Sequence, residues 1–535
     1  MFVYAALPPT GSIRLIKLDA GGTKSASSIG FTLHTTELSQ APEYHALSYT
    51  WGDPANPALD LLESLPAEPV ALRCNQQPFT IGPNLAIALR RLASLVDSPS
   101  GAYVWIDAIC INQDDLEERA SQVKLMGEIY SRAHTVYAWL GPKDASSDDA
   151  LEIIEQFSRV PADMLQTRDH LNFLYPETYA TRLGIRPIPV GNLLAWGALA
   201  LRNYFQRVWI LQEVVKGTRV IFILGDSCFP FEKLERAVQF FEARNWLQFF
   251  HPAKLNMTLR SDPALRSMIS PLYAGMISLV SNSDGGFVDG LQELVRTRRR
   301  LGAREGEPDR IQLTSLIVSQ RWRRATDPRD TIFALIPIVS GSTFPYADRS
   351  DLVSTVDYRA TVENLYTDFA WKFIQLSKSL LLWKQKEDEA STKLSSLPSW
   401  VPDWSVNLNH ATLPSFSKDG WMASRNLPAT FQREGPLLGV QGLCIGKIAQ
   451  ASTLPDIVHV HSTIRFQSFV DIISSLPVLC KVRPGKMYVI FPSLLLERLF
   501  TPAATGGDKY SSRPSKPGIV LTLCSSKRGG GENEH

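Results

Sequence analysis

The chain has 535 residues, of which 44% are hydrophobic and 20% are charged, a composition typical of an ordinary globular protein. At about 150 residues per domain, this length predicts about three or four domains, and two larger units would account for it equally well. The formal net charge of +2 excludes a strongly basic nucleic-acid-binding protein and an acidic tail protein as descriptions of the whole chain. We therefore expect no nucleic-acid partner.

The six cysteines are scattered, with no Cys-x-x-Cys pair and no histidine at zinc-finger spacing. Neither a structural zinc site nor a disulfide framework is expected from this pattern. The N-terminus lacks the basic region and long apolar core of a signal peptide, and no apolar run reaches the roughly 18 residues that a membrane span needs. These features predict a cytoplasmic protein without a membrane span.

Short apolar runs alternate with helical patterns over the first 225 residues. The first strand is predicted to lie at an edge of its sheet. Strands are predicted at residues 13–18, 44–50, 103–106, 136–140 and 219–224. Helices are predicted at residues 84–96, 115–130, 150–157 and 204–215. This alternation favours an α/β module with a mostly parallel sheet that carries helices on both faces.

Two of these helices begin with a capping signal. Asn84 precedes the apolar positions of the first helix and is predicted to cap it. Asp115 begins the next helix and Glu118 follows three residues later, which is a variant of the capping box. Residues 55–80 are predicted to form an excursion from the sheet, with short strands near residues 70–73.

The pattern changes beyond residue 225, where helical segments predominate. Helices are predicted at residues 232–243, 287–300, 311–321 and 361–377. Arginines are concentrated at 296–304 and 321–324, and we interpret them as a solvated helix face. The chain then becomes rich in proline and tryptophan near Trp400 and strand-like at 438–448. From about residue 505 it is rich in glycine, serine and lysine, which predicts a disordered tail.

Four segments are distinctive in combination. They are residues 44–53 (YHALSYTWGD), 104–113 (VWIDAICINQ), 122–130 (QVKLMGEIY) and 207–213 (RVWILQE). In this order they closely resemble the fungal heterokaryon incompatibility (HET) domain. Two later segments look like sequences that commonly follow this domain, namely residues 327–335 (DPRDTIFAL) and 397–404 (LPSWVPDW). The resemblance implies a fungal protein of nonself recognition and programmed cell death after incompatible cell fusion.

The resemblance also implies a division of the chain and a kind of partner. The predicted parts are an N-terminal lead-in (1–43), the HET domain (44–225), a mostly helical region (226–400), a mixed α/β C-terminal region (401–504) and a disordered tail (505–535). The expected partners are an incompatibility protein that the sequence does not identify and further copies of this chain.

A more remote resemblance bears on chemistry. Residues 46–53 are similar to the first strand and loop of Toll/interleukin-1 receptor (TIR) domains. The pattern Trp209-x-x-x-Glu213 is similar to the helix that carries the catalytic glutamate of their NAD-cleaving members. This resemblance implies a TIR/flavodoxin-like sheet of about five parallel strands. It also implies Glu213 as the catalytic residue, with NAD as a substrate and no bound cofactor. The excursion at 55–80 departs from the TIR pattern, in which the first strand leads directly into a helix.

The chemistry of NAD cleavage gives this glutamate a specific role. Trp209 and Glu213 are four residues apart on the predicted helix and therefore share a face. Release of nicotinamide passes through an oxocarbenium-like ribose, which a carboxylate can stabilise or trap, and an adjacent indole can pack on the sugar or base. The alternative is structural: Trp209 belongs to the core and Glu213 pairs with Arg207 or Lys216.

Two further groups of polar residues follow the predicted strands, where open parallel sheets bind their ligands. We expect them to hold ribose hydroxyls or phosphate together with Trp209, and they are Ser48, Tyr49, Trp51, Gly52, Asp53, Asp107, Asn112 and Gln113. Asp53 and Asp107 could instead cap neighbouring loops and helices. Neither a Rossmann GxGxxG pattern nor a P-loop occurs, and no metal site is expected.

Two functions remain open at this point. One is an incompatibility effector that cleaves NAD, which the Trp209-x-x-x-Glu213 pattern favours. The other is a non-enzymatic scaffold that assembles with a partner, because the sequence places no second catalytic group. The predicted sheet puts Ser48 and Asp107 at one edge. It also buries four residues of the central strands, namely Trp105, Ile106, Val136 and Leu140.

Overall fold

The computed structural model describes residues 2–8, 11–18, 30–55, 65, 68–96, 101–166, 179–244, 246, 289–302, 313–338, 356–377, 382, 393–406, 431–440, 481–483 and 486–487. These residues belong to two compact units, 1–413 and 414–535.

A nine-stranded mixed sheet forms the centre of the first unit, in the order β5-β4-β2-β1-β6-β3-β7-β8-β9. Its strands are β1 (Ser12–Leu18), β2 (Gly30–Glu37), β3 (Tyr44–Ser48), β4 (Val70–Cys74), β5 (Gln77–Ile81), β6 (Tyr103–Trp105), β7 (Thr135–Trp139), β8 (Val220–Leu224) and β9 (Ser227–Pro230).

Helices pack around this sheet and continue beyond it. Those up to residue 243 are α1 (Pro83–Leu95), α2 (Asp107–Cys110), α3 (Leu116–Arg132), α4 (Ser147–Ser158), α5 (Ala162–Gln166), α6 (Ala180–Leu183), α7 (Val190–Ala200), α8 (Asn203–Gln206), α9 (Ile210–Lys216) and α10 (Phe231–Ala243). The later ones are α11 (Asp289–Gly302), α12 (Leu313–Gln320), α13 (Asp330–Phe333) and α14 (Val362–Ser377). The helical segments predicted beyond residue 225 are thereby confirmed.

Strands β6, β3, β7 and β8 are parallel neighbours. Counted along the chain, their order is second, first, third, fourth, which is the order of flavodoxin-like sheets. The predicted α/β class is therefore confirmed, with the parallel part limited to these strands and the β2–β4 pair. Ser48 ends β3 and Asp107 follows β6, so both lie at the same edge, as predicted. Trp105, Ile106, Val136 and Leu140 are fully buried, also as predicted.

The sheet is wider than the sequence predicted. Strand β1 was expected at an edge, but it lies inside the sheet and pairs antiparallel with both β2 and β6. The excursion at 55–80 contributes the hairpin β4–β5, whose tight turn places Asn75 and Gln76 at positive φ. The prediction of an edge strand was wrong because hydrophobic alternation indicates only which faces of a strand are buried. It does not indicate whether other strands pair with it on one side or on both.

The predicted role of Asn84 as a helix cap is wrong. Helix α1 follows Gly82, which makes no side-chain cap, and Asn84 lies within the first turn. Its amide donates to the carbonyls of Thr50 at 2.6 Å and Gly52 at 3.2 Å and accepts from Trp139 Nε1 at 2.8 Å. Asn84 therefore fixes the loop that follows β3, because that loop has backbone carbonyls that need a buried donor.

Half of the predicted capping box at α3 is confirmed. Asp115 accepts hydrogen bonds from the backbone amides of Glu117 and Glu118, at 3.0 and 3.1 Å. The Glu118 carboxylate does not complete the box. It accepts from the amide of Asn112 at 2.6 Å and forms a bidentate pair with Arg14 at 2.5 and 2.9 Å. Because Arg14 and Glu118 are both buried, this pair ties β1 to α3.

Two of the downstream arginines differ from the prediction, whereas Arg299, Arg300 and Arg324 are exposed. Arg321 and Arg323 are buried and donate to backbone carbonyls, so they are not part of a solvated face. Arg323 donates to the carbonyls of Phe205 at 2.5 Å and Gly290 at 2.9 Å, and Arg321 donates to that of Asp403 at 2.5 Å. A guanidinium is buried at tolerable cost when its donors are engaged, and a linear charge pattern does not reveal the acceptors.

The second unit is described in part. It contains the hairpin β10 (Phe431–Glu434) and β11 (Leu437–Val440), and the short pair β12 (Lys481–Arg483) and β13 (Lys486–Met487). The strand-like prediction at 438–448 coincides with β11 up to residue 440, and its remainder and the tail at 505–535 lie outside the described residues. The domain boundaries stay predictions. In the part of the chain that the structure describes, no helix is long and apolar enough to cross a membrane.

We expect Glu118→Ala to lower the free energy of unfolding by about 3–5 kcal/mol, because it leaves the Arg14 guanidinium buried without its counter-charge. The matched control is Glu128→Ala, which removes an exposed pair with Arg132 on the same helix and should change the value by about 0–1 kcal/mol. Urea denaturation of both variants measures the difference. Equal losses would mean that the Arg14–Glu118 pair does not join β1 to α3.

Candidate functional site

A buried serine ends the central strand β3 and contacts two other buried side chains. The Ser48 hydroxyl donates to Oε2 of Glu213 on α9 and lies 2.7 Å from the hydroxyl of Tyr204 on α8. Ser48 and Tyr204 are fully enclosed and Glu213 is 2% exposed. We call these three residues the Glu213 cluster. It lies at the carboxyl end of a parallel strand, which is where open sheets place their ligand sites.

A break in the predicted helix at 204–215 makes this cluster possible. Tyr204 and Glu213 are nine positions apart, which is about two and a half turns of a continuous helix and would place them on opposite faces. The chain instead extends at Arg207, which forms a parallel bridge with Arg324. Two hydrogen bonds hold the bridge, from Val208 N to Arg324 O at 3.1 Å and from Arg324 N to Gln206 O at 2.7 Å. This tertiary pairing overrides the local helical pattern.

The Glu213 carboxyl titrates near neutrality. Burial raises its pKa from 4.5 to about 7. The positive charge of Arg207 and the hydrogen bond from Ser48 oppose the rise, and the negative charge of Asp107 adds to it. The sequence left open an ion pair of Glu213 with Arg207 or Lys216. In the structure, the hydrogen bond to the Glu213 carboxylate comes from the Ser48 hydroxyl. A carboxyl with a pKa near the working pH is suited to proton transfer as well as to charge stabilisation.

A second pair of side chains lies beside the cluster and reaches the surface. Trp51 Nε1 donates to Asp107 Oδ2 at 2.8 Å, and the Trp51 side chain is 48% exposed. Burial raises the pKa of Asp107, and Arg207 and the Trp51 hydrogen bond oppose that rise. Asp107 Oδ1 also accepts from the amide of Ala108 at 2.7 Å, so the capping alternative holds for one of its oxygens. We call Trp51 and Asp107 the rim.

Arg207 connects the rim electrostatically to the buried cluster. Its guanidinium donates to the carbonyl of Tyr49 and lowers the pKa of both Asp107 and Glu213. Tyr49 itself is buried, and burial raises the pKa of its hydroxyl well above the usual value. Five of the residues predicted to form the site therefore share one electrostatic environment, and they are Ser48, Tyr49, Trp51, Asp107 and Glu213.

Four predicted binding residues are engaged in local structure. Asp53 Oδ1 accepts from the amide of Ala55 at 2.8 Å, and the carbonyl of Gly52 accepts from Asn84. Asn112 Oδ1 accepts from the amide of Asp114 at 3.4 Å. Gln113 donates to the backbone carbonyl of Asp107 at 3.1 Å, which supports the rim indirectly. Their predicted roles in ligand binding stay predictions.

Trp209 lies one helical turn before Glu213 and accepts a hydrogen bond from the Glu213 amide at 3.4 Å, as their predicted spacing requires. It precedes α9, and its Nε1 donates to Asp330 Oδ2 at 3.0 Å. Asp330 belongs to the downstream segment 327–335 and also accepts from the Tyr358 hydroxyl at 2.6 Å. Trp209 therefore joins the helix of Glu213 to the segment that follows the domain.

Sequence reasoning missed Tyr204 and the role of Asn84. The role of Tyr204 could not be predicted because the helical pattern from residue 204 to 215 appeared continuous. No local sequence feature indicates that the backbone is extended at Arg207. The bond from Asn84 to the loop after β3 connects residues more than thirty positions apart and is equally invisible to local patterns.

Neither metal-binding side chains nor a surface cleft adds a further candidate site in the described residues. Over the described residues, no grouping of three or more His, Cys, Asp or Glu side chains could hold a metal ion. A surface cleft of about 510 Å³ lies elsewhere, between α4 and residues 184–186. Four of its charged side chains form two pairs, Arg186 with Glu152 at 2.8 Å and Arg159 with Glu155 at 2.6 Å.

Comparison with known proteins finds a family match over the part of the chain that holds the Glu213 cluster. The family model described as heterokaryon incompatibility protein (HET) matches residues 44–213. The chain contains a HET domain. That match begins at the first residue of β3 and ends at Glu213, so the Ser48–Glu213 hydrogen bond joins the two ends of the HET domain.

The chain is also similar to heterokaryon incompatibility protein 6, OR allele, of Neurospora crassa. The two are 25% identical over 483 residues, which cover 82% of this chain and 64% of that protein. The chain thus spans less than two thirds of the length of this relative. No solved structure matches the chain.

The raised pKa of Glu213 predicts a pH dependence of stability. The folded state holds the proton of Glu213 more tightly than the unfolded state does, so protonation stabilises the folded protein. This contribution to the free energy of unfolding is fully present below about pH 4.5 and is lost as the pH rises to about 7. Glu213→Gln stays neutral and should escape this loss. We expect it to unfold with a free energy up to about 3 kcal/mol above that of the wild type at pH 8, and equal to it near pH 4.

Urea denaturation at several pH values between 4 and 8 provides the measurement. The control is Glu128→Gln, which changes an exposed carboxylate on α3 and should run parallel to the wild type. A Glu213→Gln curve that also runs parallel to the wild type would show that Glu213 is ionised at no cost in the folded protein.

Proposed function

We propose that this chain acts in fungal heterokaryon incompatibility, in the cytoplasm, as an effector of nonself recognition that leads to programmed cell death. The HET domain and the similarity to an incompatibility protein support this role. We further propose that the domain is TIR-like and acts by cleaving NAD. The observation that carries the enzymatic part is the buried Glu213 carboxyl, hydrogen-bonded to Ser48 at the carboxyl end of a central parallel strand and titrating near neutrality.

The proposed reaction breaks the bond between nicotinamide and C1′ of the ribose. The bonding electron pair leaves with the nicotinamide nitrogen, so nicotinamide departs neutral and positive charge develops on the ribose. Ionised Glu213 stabilises that charge. Water then adds at C1′, and its proton passes to the carboxylate, whose pKa of about 7 suits it to accept one.

The rim supplies the binding contacts in this proposal. The exposed indole of Trp51 offers a flat apolar surface to the base or the ribose, and Asp107 offers a carboxylate oxygen to the ribose hydroxyls. Because Glu213 is 2% exposed, the substrate reaches it only when the rim moves. We therefore propose that assembly, with further copies of this chain or with an incompatibility partner, opens the rim and turns on activity.

A non-enzymatic scaffold is the second candidate, and the same burial of Glu213 supports it. A wholly enclosed carboxyl that is bonded to a neighbouring hydroxyl also occurs as a structural element. In that case the chain signals by assembling with a partner, and the Glu213 cluster only fixes the shape of the domain.

Turnover of NAD by the purified full chain distinguishes the two candidates. The full chain is needed because two downstream arginines, Arg298 on α11 and Arg323 after α12, donate to backbone carbonyls of Gly217 and Phe205 on either side of α9. We expect Glu213→Gln to lower turnover by about 100-fold or more, since a neutral amide cannot replace a carboxylate beside a developing cation. Nicotinamide release is followed by chromatography over a range of protein concentrations, with Glu128→Gln as the control.

The melting temperature of each variant is measured together with its turnover, so that a loss of activity can be distinguished from a loss of folding. Loss of turnover in folded Glu213→Gln, with full turnover in Glu128→Gln, supports the enzyme. Equal turnover in the wild type and Glu213→Gln, or none in the wild type at any concentration, would sink the enzymatic proposal and leave the scaffold.

A further inference from the structure

Tyr204 is a buried member of the Glu213 cluster that has no part in the proposed reaction. Its side chain is fully buried, its ring packs edge-on against Phe205 and Phe222, and its hydroxyl is 2.7 Å from Ser48 Oγ. A buried hydroxyl needs a hydrogen-bond partner, and Ser48 provides it. The position of Tyr204 behind Ser48 therefore concerns how the Glu213 cluster is organised.

Counting protons fixes the direction of the hydrogen bonds in this cluster. Ser48 carries one hydroxyl proton, and it donates that proton to the Glu213 carboxylate. The Ser48 oxygen then acts toward Tyr204 only as an acceptor, so the Tyr204 hydroxyl donates. The chain of bonds runs from Tyr204 through Ser48 to Glu213.

We propose that Tyr204 is a positioning residue, which by donating to Ser48 directs the serine proton at Glu213 and holds that carboxyl in its ionised form. Its importance for catalysis rests on the proposed function, whereas its effect on the protonation of Glu213 does not. A tyrosine suits this role because burial raises the pKa of the Tyr204 hydroxyl far above its usual value, so the hydroxyl remains a donor.

Protonation of Glu213 would disturb this order. If Oε2 carried a proton and donated it to Ser48, three protons would share the two hydrogen bonds of the cluster, and the proton of either Ser48 or Tyr204 would be left without an acceptor. A buried donor without a partner is costly, so Tyr204 favours the ionised carboxylate. Charged groups also act on the cluster: Arg207 and Asp107 act on Glu213, and Arg323 acts on Tyr204.

The test measures the titration midpoint of Glu213 directly, in the full-length protein without NAD. Glutamate labelled with ¹³C at the side-chain carboxyl reports protonation by NMR, and the Glu213 signal is assigned by its absence in Glu213→Gln. Tyr204→Phe removes the hydroxyl and keeps the ring. We expect it to raise the midpoint by about 0.5–1 pH unit, and Ser48→Ala to raise it at least as much.

Tyr130→Phe is the matched control. Tyr130 is as buried as Tyr204 and is also close enough for Glu213 to influence its pKa, but its hydroxyl points to the carbonyl of Leu47 at 3.4 Å. We expect no change of the Glu213 midpoint in this variant. Ser48→Thr keeps a hydroxyl at position 48 and should keep the midpoint near that of the wild type.

Two results would overturn the proposal. One is an unchanged midpoint in folded Tyr204→Phe, and the other is an equal rise in Tyr130→Phe, which would indicate a general response to lost hydroxyls. If Tyr204→Phe does not fold, fluorinated tyrosine provides the second measurement. A more acidic hydroxyl at position 204 donates more strongly and should lower the midpoint, and an unchanged midpoint would refute the role. All of these readouts remain valid if the protein does not cleave NAD.

Discussion

A carboxyl group buried beneath the end of the central strand is the constraint around which the HET domain is arranged. Enclosing Glu213 disfavours its charged form, and two interactions oppose this effect, namely the positive charge of Arg207 and the hydrogen bond from Ser48. The position of Arg207 depends on the break between α8 and α9, which the bridge from Arg207 to Arg324 maintains. The protonation of one side chain is thus coupled to the path of the chain well beyond the domain.

The downstream region takes part in this arrangement through backbone and side-chain hydrogen bonds. Arg323 donates to the carbonyl of Phe205, and Arg298 donates to that of Gly217, so both ends of the α8–α9 segment are held. Asp330 holds the indole of Trp209. The downstream region therefore contacts the segment that carries Glu213 at three points, which is the connection that the proposed activation by assembly needs.

The sequence was informative where burial follows a local period. The four parallel strands and the edge shared by Ser48 and Asp107 came from alternation, and motif resemblance pointed to Ser48 and Glu213, which the structure brings into contact. The sequence was uninformative where contacts between residues far apart in the chain determine the structure. Strand β1 acquired neighbours on both sides, Asn84 bonded a remote loop, and Tyr204 reached Ser48 because a tertiary bridge interrupted a helix that the local pattern drew as continuous. No periodicity encodes such pairings.

The coupling between Ser48 and Glu213 is most directly measured by a double-mutant cycle of unfolding free energies, with Ser48→Ala, Glu213→Gln and the double variant at pH 8. A hydrogen bond from a buried hydroxyl to a charged carboxylate predicts a coupling energy of about 1.5–3 kcal/mol. At pH 4, where the carboxyl is neutral in the wild type, the coupling should fall to about 1 kcal/mol or less. Additive changes of the unfolding free energy at both pH values would contradict the central place given to this interaction.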